Sequence, residues 1–350
     1  MGMMRTILVG CGGISGAWLP AVIDCDDIDL VGLVDINPEH ARNQVQRFNL
    51  DRVPIFTSLQ QALDNLRFDA VFDLTVPAVH DQVTIAALEA GCHVLGEKPM
   101  SDSMAKARRM VQAANKAGRI YAVTQTRRPD PNVLRVTQLV NSGAIGQVEE
   151  IHCDFFIGAH FGGFRDEMDY PLLLDMAIHT FDTARQIAHA DPVSAYCCSF
   201  NPARSWYCGD ASASVIFEMK PADGDGHIVY NYRGSWCSEG LQTDWNAAWR
   251  IVGSKGSVLW NGVDQIHAQS VKEDGDHGFH SELIDLAIPC VEQKLSGHTY
   301  LIQQFARSVL SSGTEKVECP CDDNIKSLAM VMAAVQSDVE ARKVNIADLL

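Results

Sequence analysis

Residues 6–16, Thr6-Ile7-Leu8-Val9-Gly10-Cys11-Gly12-Gly13-Ile14-Ser15-Gly16, pass from a short apolar stretch through a glycine turn into a segment able to start a helix. Strand, tight turn and helix in that order form the first turn of a dinucleotide-binding βαβ unit. Gly10 lets the chain turn sharply, and Gly12 keeps a side chain away from a pyrophosphate. Gly13 and Ile14 open the helix, whose free N–H groups attract phosphate. Ser15 stands where a third small residue packs helix against strand. Such a loop is a weak signal alone, but its context strengthens it. Asp35 follows 19 residues after Gly16 and closes the next apolar run. A carboxylate there accepts from both adenosine ribose hydroxyls and repels a 2′-phosphate. Ile36-Asn37-Pro38 supplies no arginine beside it, so NAD is expected and NADP is disfavoured.

Outward from this loop, residues 1–124 alternate apolar and helix-like segments. Strands are expected at 6–9, 29–34, 70–74, 93–96 and 120–124, and helices at 17–25, 38–48, 58–66, 80–90 and 101–117. Alternation of this kind implies parallel pairing through right-handed crossovers, hence a doubly wound α/β sheet. From residue 125 the character changes. Longer strands are expected at 148–157, 193–199, 211–219, 227–237, 248–252 and 257–260, with turns at Asp223-Gly224-Asp225-Gly226 and Gly253-Ser254-Lys255-Gly256. Helices are expected near 131–142, 171–188, 298–311 and 323–342. Residues 125–350 therefore read as an α+β domain on a large, mainly antiparallel sheet.

Composition bounds the function classes. The 350 residues are 47% hydrophobic and carry a net charge of −16, which repels nucleic acid. No run approaches a membrane span, and the chain begins in a strand without a signal-like region, so a cytoplasmic protein is expected. The 11 cysteines are odd in number and scattered, several within apolar runs. Cys319-Pro-Cys321 lacks a second pair or nearby histidines, so no metal is expected.

Two further groups carry chemistry. Leu95-Gly96-Glu97-Lys98-Pro99 ends a strand on the carboxyl edge of the sheet, where doubly wound folds bind ligands. Within residues 171–182, Asp175 and His179 are four apart and share a helix face, with Asp182 close to it. Imidazole is suited to take a proton near neutral pH, and a nearby aspartate orients it.

Together these motifs resemble the glucose–fructose oxidoreductase / inositol dehydrogenase / MocA family of NAD(P)-dependent oxidoreductases. The likeness rests on the Gly10–Gly16 loop, Asp35, Asp73-Leu74-Thr75-Val76-Pro77 with His80, Glu97-Lys98-Pro99, Gln125-Thr126-Arg127-Arg128 and Asp175-x-x-x-His179. It implies that Lys98, Asp175 and His179 are catalytic, with His179 the base and Lys98 holding the reacting oxygen. It also implies that Thr75, Pro77, His80 and Glu97 lie along the cofactor, with Gln125 near the nicotinamide. Tyr170-Pro171-Leu172-Leu173-Leu174 and Ala177 depart from the glycines common there, which leaves the pocket shape open. The resemblance further implies a homodimer or homotetramer formed through the second domain's sheet.

Arg128 and His160 are expected to contact substrate with the catalytic residues, and His152, Trp206, Tyr207, Trp236, Trp245 and Trp249 are further candidates for a polyol wall. His277 and His280 lie in a polar stretch. The expected activity is hydride transfer between a secondary hydroxyl of a sugar, cyclitol or related polyol and nicotinamide. The alternative is a glycosidase of the same family type that uses transient oxidation and elimination. A non-enzymatic NAD-sensing protein is a third reading, disfavoured by the intact catalytic residues.

Overall fold

The computed structural model describes residues 2–222, 224, 226–275 and 278–350, so Asp223 and Asp225 of the expected turn and His277 lie outside the described residues. The chain divides into two compact units. The first comprises residues 1–129 and 294–328, the second residues 130–293 and 329–350. The first is cut at 129/130 rather than 124/125, and it is discontinuous, because a late segment returns to it.

In the first unit β1 (Met4–Val9), β2 (Ile28–Val34), β3 (Ile55–Phe56), β4 (Ala70–Asp73), β5 (His93–Gly96) and β6 (Tyr121–Val123) pair in the order β3-β2-β1-β4-β5-β6. Every pairing is parallel. The order reverses between β1 and β4, the switch point where such sheets bind ligands. Helices α1 (Ser15–Ile23), α2 (Pro38–Phe48), α3 (Leu59–Asn65), α4 (His80–Glu89) and α5 (Met104–Ala117) are the connections. Local chemistry sets their ends. Asn37 caps α2 by accepting from Glu39 N–H, Pro38 occupies its first turn, and Gly118 ends α5 in the left-handed region.

The returning helix Gly297–Leu310 completes this core by placing Ile302, Phe305 and Ala306 among Met4, Leu8, Trp18 and Phe72. Beyond it, Val123 N–H donates to Cys319 O at 3.0 Å and Ala122 bridges Pro320. The edge strand β6 is thereby covered, which removes an open template for pairing. Cys319 and Cys321 are buried in this cover.

In the second unit α6 (Pro131–Asn141) and α7 (Ile178–Ala188) accompany a nine-stranded sheet. Its strands are β7 (Val148–Phe156), β8 (Ala190–Phe200), β9 (Ser212–Pro221), β10 (Ile228–Ser235), β11 (Ala248–Gly253), β12 (Gly256–Trp260), β13 (Ile266–Val271), β14 (Leu283–Asp285) and β15 (Val344–Asn345). They lie in the order β14-β13-β12-β11-β7-β10-β9-β8-β15, antiparallel except for β7 beside β10. On the buried face Phe217, Tyr230, Trp249 and Trp260 form a column of rings, successive centroids 5.6, 6.3 and 6.3 Å apart and nearly parallel. Trp249 is therefore core, not substrate wall.

The opposite face carries the row Leu259, Arg250, His152, Asn231, Ile216 and Tyr196, one residue from each neighbouring strand. His152 thus sits on the sheet's open face, paired with Glu150 at 2.9 Å, rather than among the groups around Asp175. No helix among the described residues is long and apolar enough to cross a membrane.

The column carries a stability expectation. Trp249→Ala should lower unfolding free energy by about 3–5 kcal/mol, the range for truncating a buried tryptophan. Urea unfolding followed by circular dichroism measures this, and a loss below about 1 kcal/mol would contradict the packing role.

Candidate active site

The glycine loop lies at the switch point between β1 and β4. Gly10 has φ +95°, and a Cβ there would meet Leu74 O at 2.6 Å, so both conformation and space demand glycine. A Cβ on Gly12 or Gly13 would meet nothing within 4 Å, which leaves open space over the loop. Among the described residues no acceptor takes the amides of Gly12, Gly13 or Ile14. Open space and unclaimed N–H groups at a helix start are what a pyrophosphate requires.

Asp35 holds this loop as well as facing it. Its Oδ2 accepts from Cys11 N–H and its Oδ1 from Asn37 N–H, both at 2.8 Å. Oδ1 also lies 3.4 Å from His40 Nδ1, whereas Oδ2 retains a second lone pair for a ribose hydroxyl. Ile14, Ile36 and Val76 follow the carboxyl ends of the adjacent strands β1, β2 and β4, and all three apolar side chains are exposed, Ile36 by 92%. Sequence reading passed over Ile36 and Val76. Their signal is an isolated apolar residue between a strand end and a helix start.

Beyond β4, fully buried Asp73 braces the next loop. Its Oδ1 accepts from Thr75 N–H and Oγ1, its Oδ2 from Thr84 Oγ1. Pro77 is half-buried in the loop so held. His80 opens α4 and spans two loops, Nε2 lying 2.8 Å from Thr75 O and Nδ1 3.1 Å from Pro99 O. The Thr75–Pro77 loop and the Lys98–Pro99 turn are thereby tied together. The Lys98–Pro99 peptide is cis. Gln125, two residues past β6, is 1% exposed, and among the described residues neither atom of its side-chain amide has a hydrogen-bond partner. A buried amide without partners is costly unless a ligand completes it.

Glu97 is a hub of this unit. Oε1 accepts from Trp18 Nε1 at 2.6 Å and lies 2.9 Å from His298 Nε2, while Oε2 accepts from Lys98 N–H at 3.0 Å. Burial pushes this carboxyl up, but His298, the Trp18 indole and the Lys98 charge outweigh it and hold it below the ordinary range. Glu97 is thereby tied to Lys98 through the Lys98 backbone N–H. Trp18 and His298 were missed because they lie 79 and 201 residues from Glu97 in sequence.

Arg128 has an unexpected role. One guanidinium nitrogen donates to Glu318 O at 2.8 Å and another to Asp323 at 2.6 Å, so this side chain anchors the returning segment. That commitment explains its burial and makes it a poor substrate donor.

In the second unit the expected helix does not begin as an α-helix. Leu172–Ala177 form a π-helical turn that leads into α7. Single π turns inside helices recur at functional sites. Asp175 lies in that turn and His179 in the first turn of α7, both buried to 8% exposure. Asp175 Oδ2 accepts from Arg165 Nε at 2.6 Å. Asp182 is set apart, with Arg185 3.8 Å away.

Upstream, the His160 ring stacks on Trp206 at 3.6 Å between centroids, and its Nε2 lies 2.8 Å from Glu239. Phe161 packs against Trp236 and Trp245. Tyr207 and Trp236 are buried, whereas Trp245 is 47% exposed. Phe279 and His280 contact each other at 4.7 Å. Lys98 belongs to the first unit, and Asp175, His179 and His160 to the second.

Comparison with known proteins decides the family. The model of an oxidoreductase family with an NAD-binding Rossmann fold matches residues 4–125, and that of the Gfo/Idh/MocA C-terminal domain matches residues 133–259. The chain belongs to the Gfo/Idh/MocA family. Among its relatives is the myo-inositol 2-dehydrogenase of Thermotoga maritima, 23% identical across 99% of this chain and 100% of that one. An uncharacterized protein of Sinorhizobium fredii is 27% identical across 99% of this chain and 96% of its own length. An Agrobacterium radiobacter oxidoreductase, solved with NAD+, L-tartaric acid and magnesium, superposes with a TM-score of 0.83. It is 20% identical and covers 99% of each chain, a likeness of fold. As a family member the chain is an NAD(P)-dependent oxidoreductase.

The Glu97 hub sets a pH dependence. A carboxyl held below its ordinary range stabilises the fold above that range, and the contribution fades as pH falls through the lowered value. Glu97→Gln should therefore destabilise the protein by about 2–3 kcal/mol at pH 7. The gap to wild type should close below about pH 4.5. Thermal melts from pH 7 to pH 3 measure it. A gap independent of pH would show that shape, not charge, is what Glu97 supplies.

Proposed function

We propose that the protein is an NAD-dependent dehydrogenase that oxidises a secondary hydroxyl of a sugar, cyclitol or related polyol. The observation that carries this reading is a cradle with unclaimed hydrogen-bonding groups: the amides of Gly12, Gly13 and Ile14 and the buried amide of Gln125. Gly10, Gly12, Gly13, Ile14 and Asp35 would hold the adenosine diphosphate half of the cofactor. Thr75, Pro77 and His80 would line its path, and Gln125 would meet the nicotinamide amide. The Asp35 carboxylate, fixed by Cys11 and Asn37 N–H groups, favours NAD over NADP.

NAD, when bound, accepts the hydride that leaves the carbinol carbon. His179 takes the hydroxyl proton, so the alcohol loses one hydride and one proton and becomes a ketone. Lys98 donates to the reacting oxygen and stabilises its developing negative charge. Asp175 accepts from a substrate hydroxyl and orients the groups around His179. In the reverse direction His179 returns the proton. His160 stands as a substrate contact of the same unit, close-packed on Trp206.

NADH absorbance across inositols, sugars and sugar acids tests the proposal. Activity is expected with NAD at more than about tenfold higher kcat/KM than with NADP. His179→Ala should cut kcat by about 10²–10⁴-fold while leaving NAD affinity intact. No turnover with either cofactor would sink the reading, and preference for NADP would overturn the role given to Asp35.

The open sheet face supports a homodimer or homotetramer. Tyr196, Phe200, Ile216 and Leu259 are between 41 and 52% exposed on strands of this one sheet. Tyr196 pairs directly with Ile216, so apolar groups share the face. Light scattering should report an oligomer for the wild type and a monomer for Tyr196→Arg/Ile216→Arg; an unchanged mass would place the interface elsewhere.

A further inference from the structure

Arg165 is the one lysine or arginine between residues 158 and 182. It closes a short 3-10 turn, Gly163–Arg165, entered through Gly162 and Gly163 at φ +69° and +72°. The segment behind it is anchored, not loose. Cys208 N–H donates to Asp166 O at 2.8 Å and Asp210 N–H to Asp169 O at 2.7 Å. Gly209 passes so close that a Cβ there would meet Asp169 O at 2.1 Å. The guanidinium lies over two largely exposed rings, 4.7 Å from the Phe164 centroid and 5.3 Å from that of Phe161.

How Arg165 holds Asp175 matters chemically. It donates to Asp175 Oδ2 through Nε, the side of the guanidinium. Among the described residues no acceptor takes its two terminal NH2 groups, and the side chain is 30% exposed. A guanidinium fixed side-on with its outer nitrogens open is a donor set for paired oxygens, above all a carboxylate. Asp175 beside it accepts only, as a carboxylate does.

We propose that Arg165 is a specificity-determining residue, and that the substrate is a hydroxy acid of the sugar-acid class. Asp175 accepts from a substrate hydroxyl while the outer nitrogens of Arg165 receive the substrate carboxylate. Phe161 and Phe164 shield that pairing from water and strengthen it. The inference rests on the dehydrogenase reading and narrows its substrate. It makes Arg165 responsible for choice among polyols rather than for hydride transfer itself.

The test is steady-state NADH formation by wild type, Arg165→Met and Arg165→Lys with gluconate, galacturonate, myo-inositol and glucose. Wild type should use an acid best. Arg165→Met should raise KM for that acid about 10–100-fold with kcat changed far less, the effect of losing a charged hydrogen bond. Its KM for neutral polyols should rise several-fold less, by the part that reflects Asp175 losing its Nε donor. Arg165→Lys should recover part of the loss, since it keeps the charge but not the fork. NAD affinity from tryptophan fluorescence should be equal in all three, which separates a binding defect from misfolding. Equal losses on acids and neutral polyols, or no loss on acids, would overturn the proposal. A wild type that oxidises neutral polyols and ignores acids would overturn it while leaving the dehydrogenase reading standing. A wild type inactive on all four with both cofactors would remove both.

Discussion

A carboxylate buried in an acidic protein must be surrounded by donors, and the Glu97 side chain organises the first unit around that requirement. Its donors come from three places: the indole of α1, the imidazole of the returning helix, and the backbone of Lys98 itself. The same contacts join the strand end that carries Lys98 to α1, the helix that follows the glycine loop. Trp18 then packs on Phe72, and Phe72 on Phe305, so the polar hub continues directly into the apolar core. Helix α1, the lysine turn and the core are therefore tied together by one satisfied charge.

Much of the first unit was legible because its signals are local. The Gly10 turn, the cap at Asn37 and the alternation of apolar runs with helices each lie within a few residues. The two-residue strands β3 and β15 were not legible, since so few residues show no periodicity, and neither was β13, whose polar residues alternate with only three apolar ones. The reading of Asp175 and His179 as residues of one regular helix missed the π turn Leu172–Ala177, which holds Asp175 and precedes the α-helix of His179. That turn is a backbone response to packing, and residue types alone do not reveal it. Arg128 and Arg165 show the converse. As isolated residues both could serve a ligand, and only their partners, Glu318 and Asp323 for one and Asp175 for the other, separate an anchor from a candidate contact.

The second unit divides its labour between the two faces of one sheet. One face is closed by aromatic rings stacked across strands, which resists bending because Tyr230 and Trp249 are each held by a ring on both sides. The helix bearing His179 packs its Phe181 edge-on against Phe217 and Tyr232 of that same face. Phe181 thereby ties the helix of His179 to a rigid floor. The other face keeps charged and apolar side chains in one row and has no comparable internal packing.

The first unit is built from two stretches of chain separated by most of the second unit, and this has a consequence for synthesis. Residues 294–328 supply Phe305 to the core, His298 to Glu97 and the cover over β6. A growing chain that has left the ribosome only through residue 129 holds a sheet with a bare edge, an unfilled core and a carboxylate short of one donor. The first unit begun is thus the one that must wait for residues 294–328, which are made only after β7 to β14 of the second.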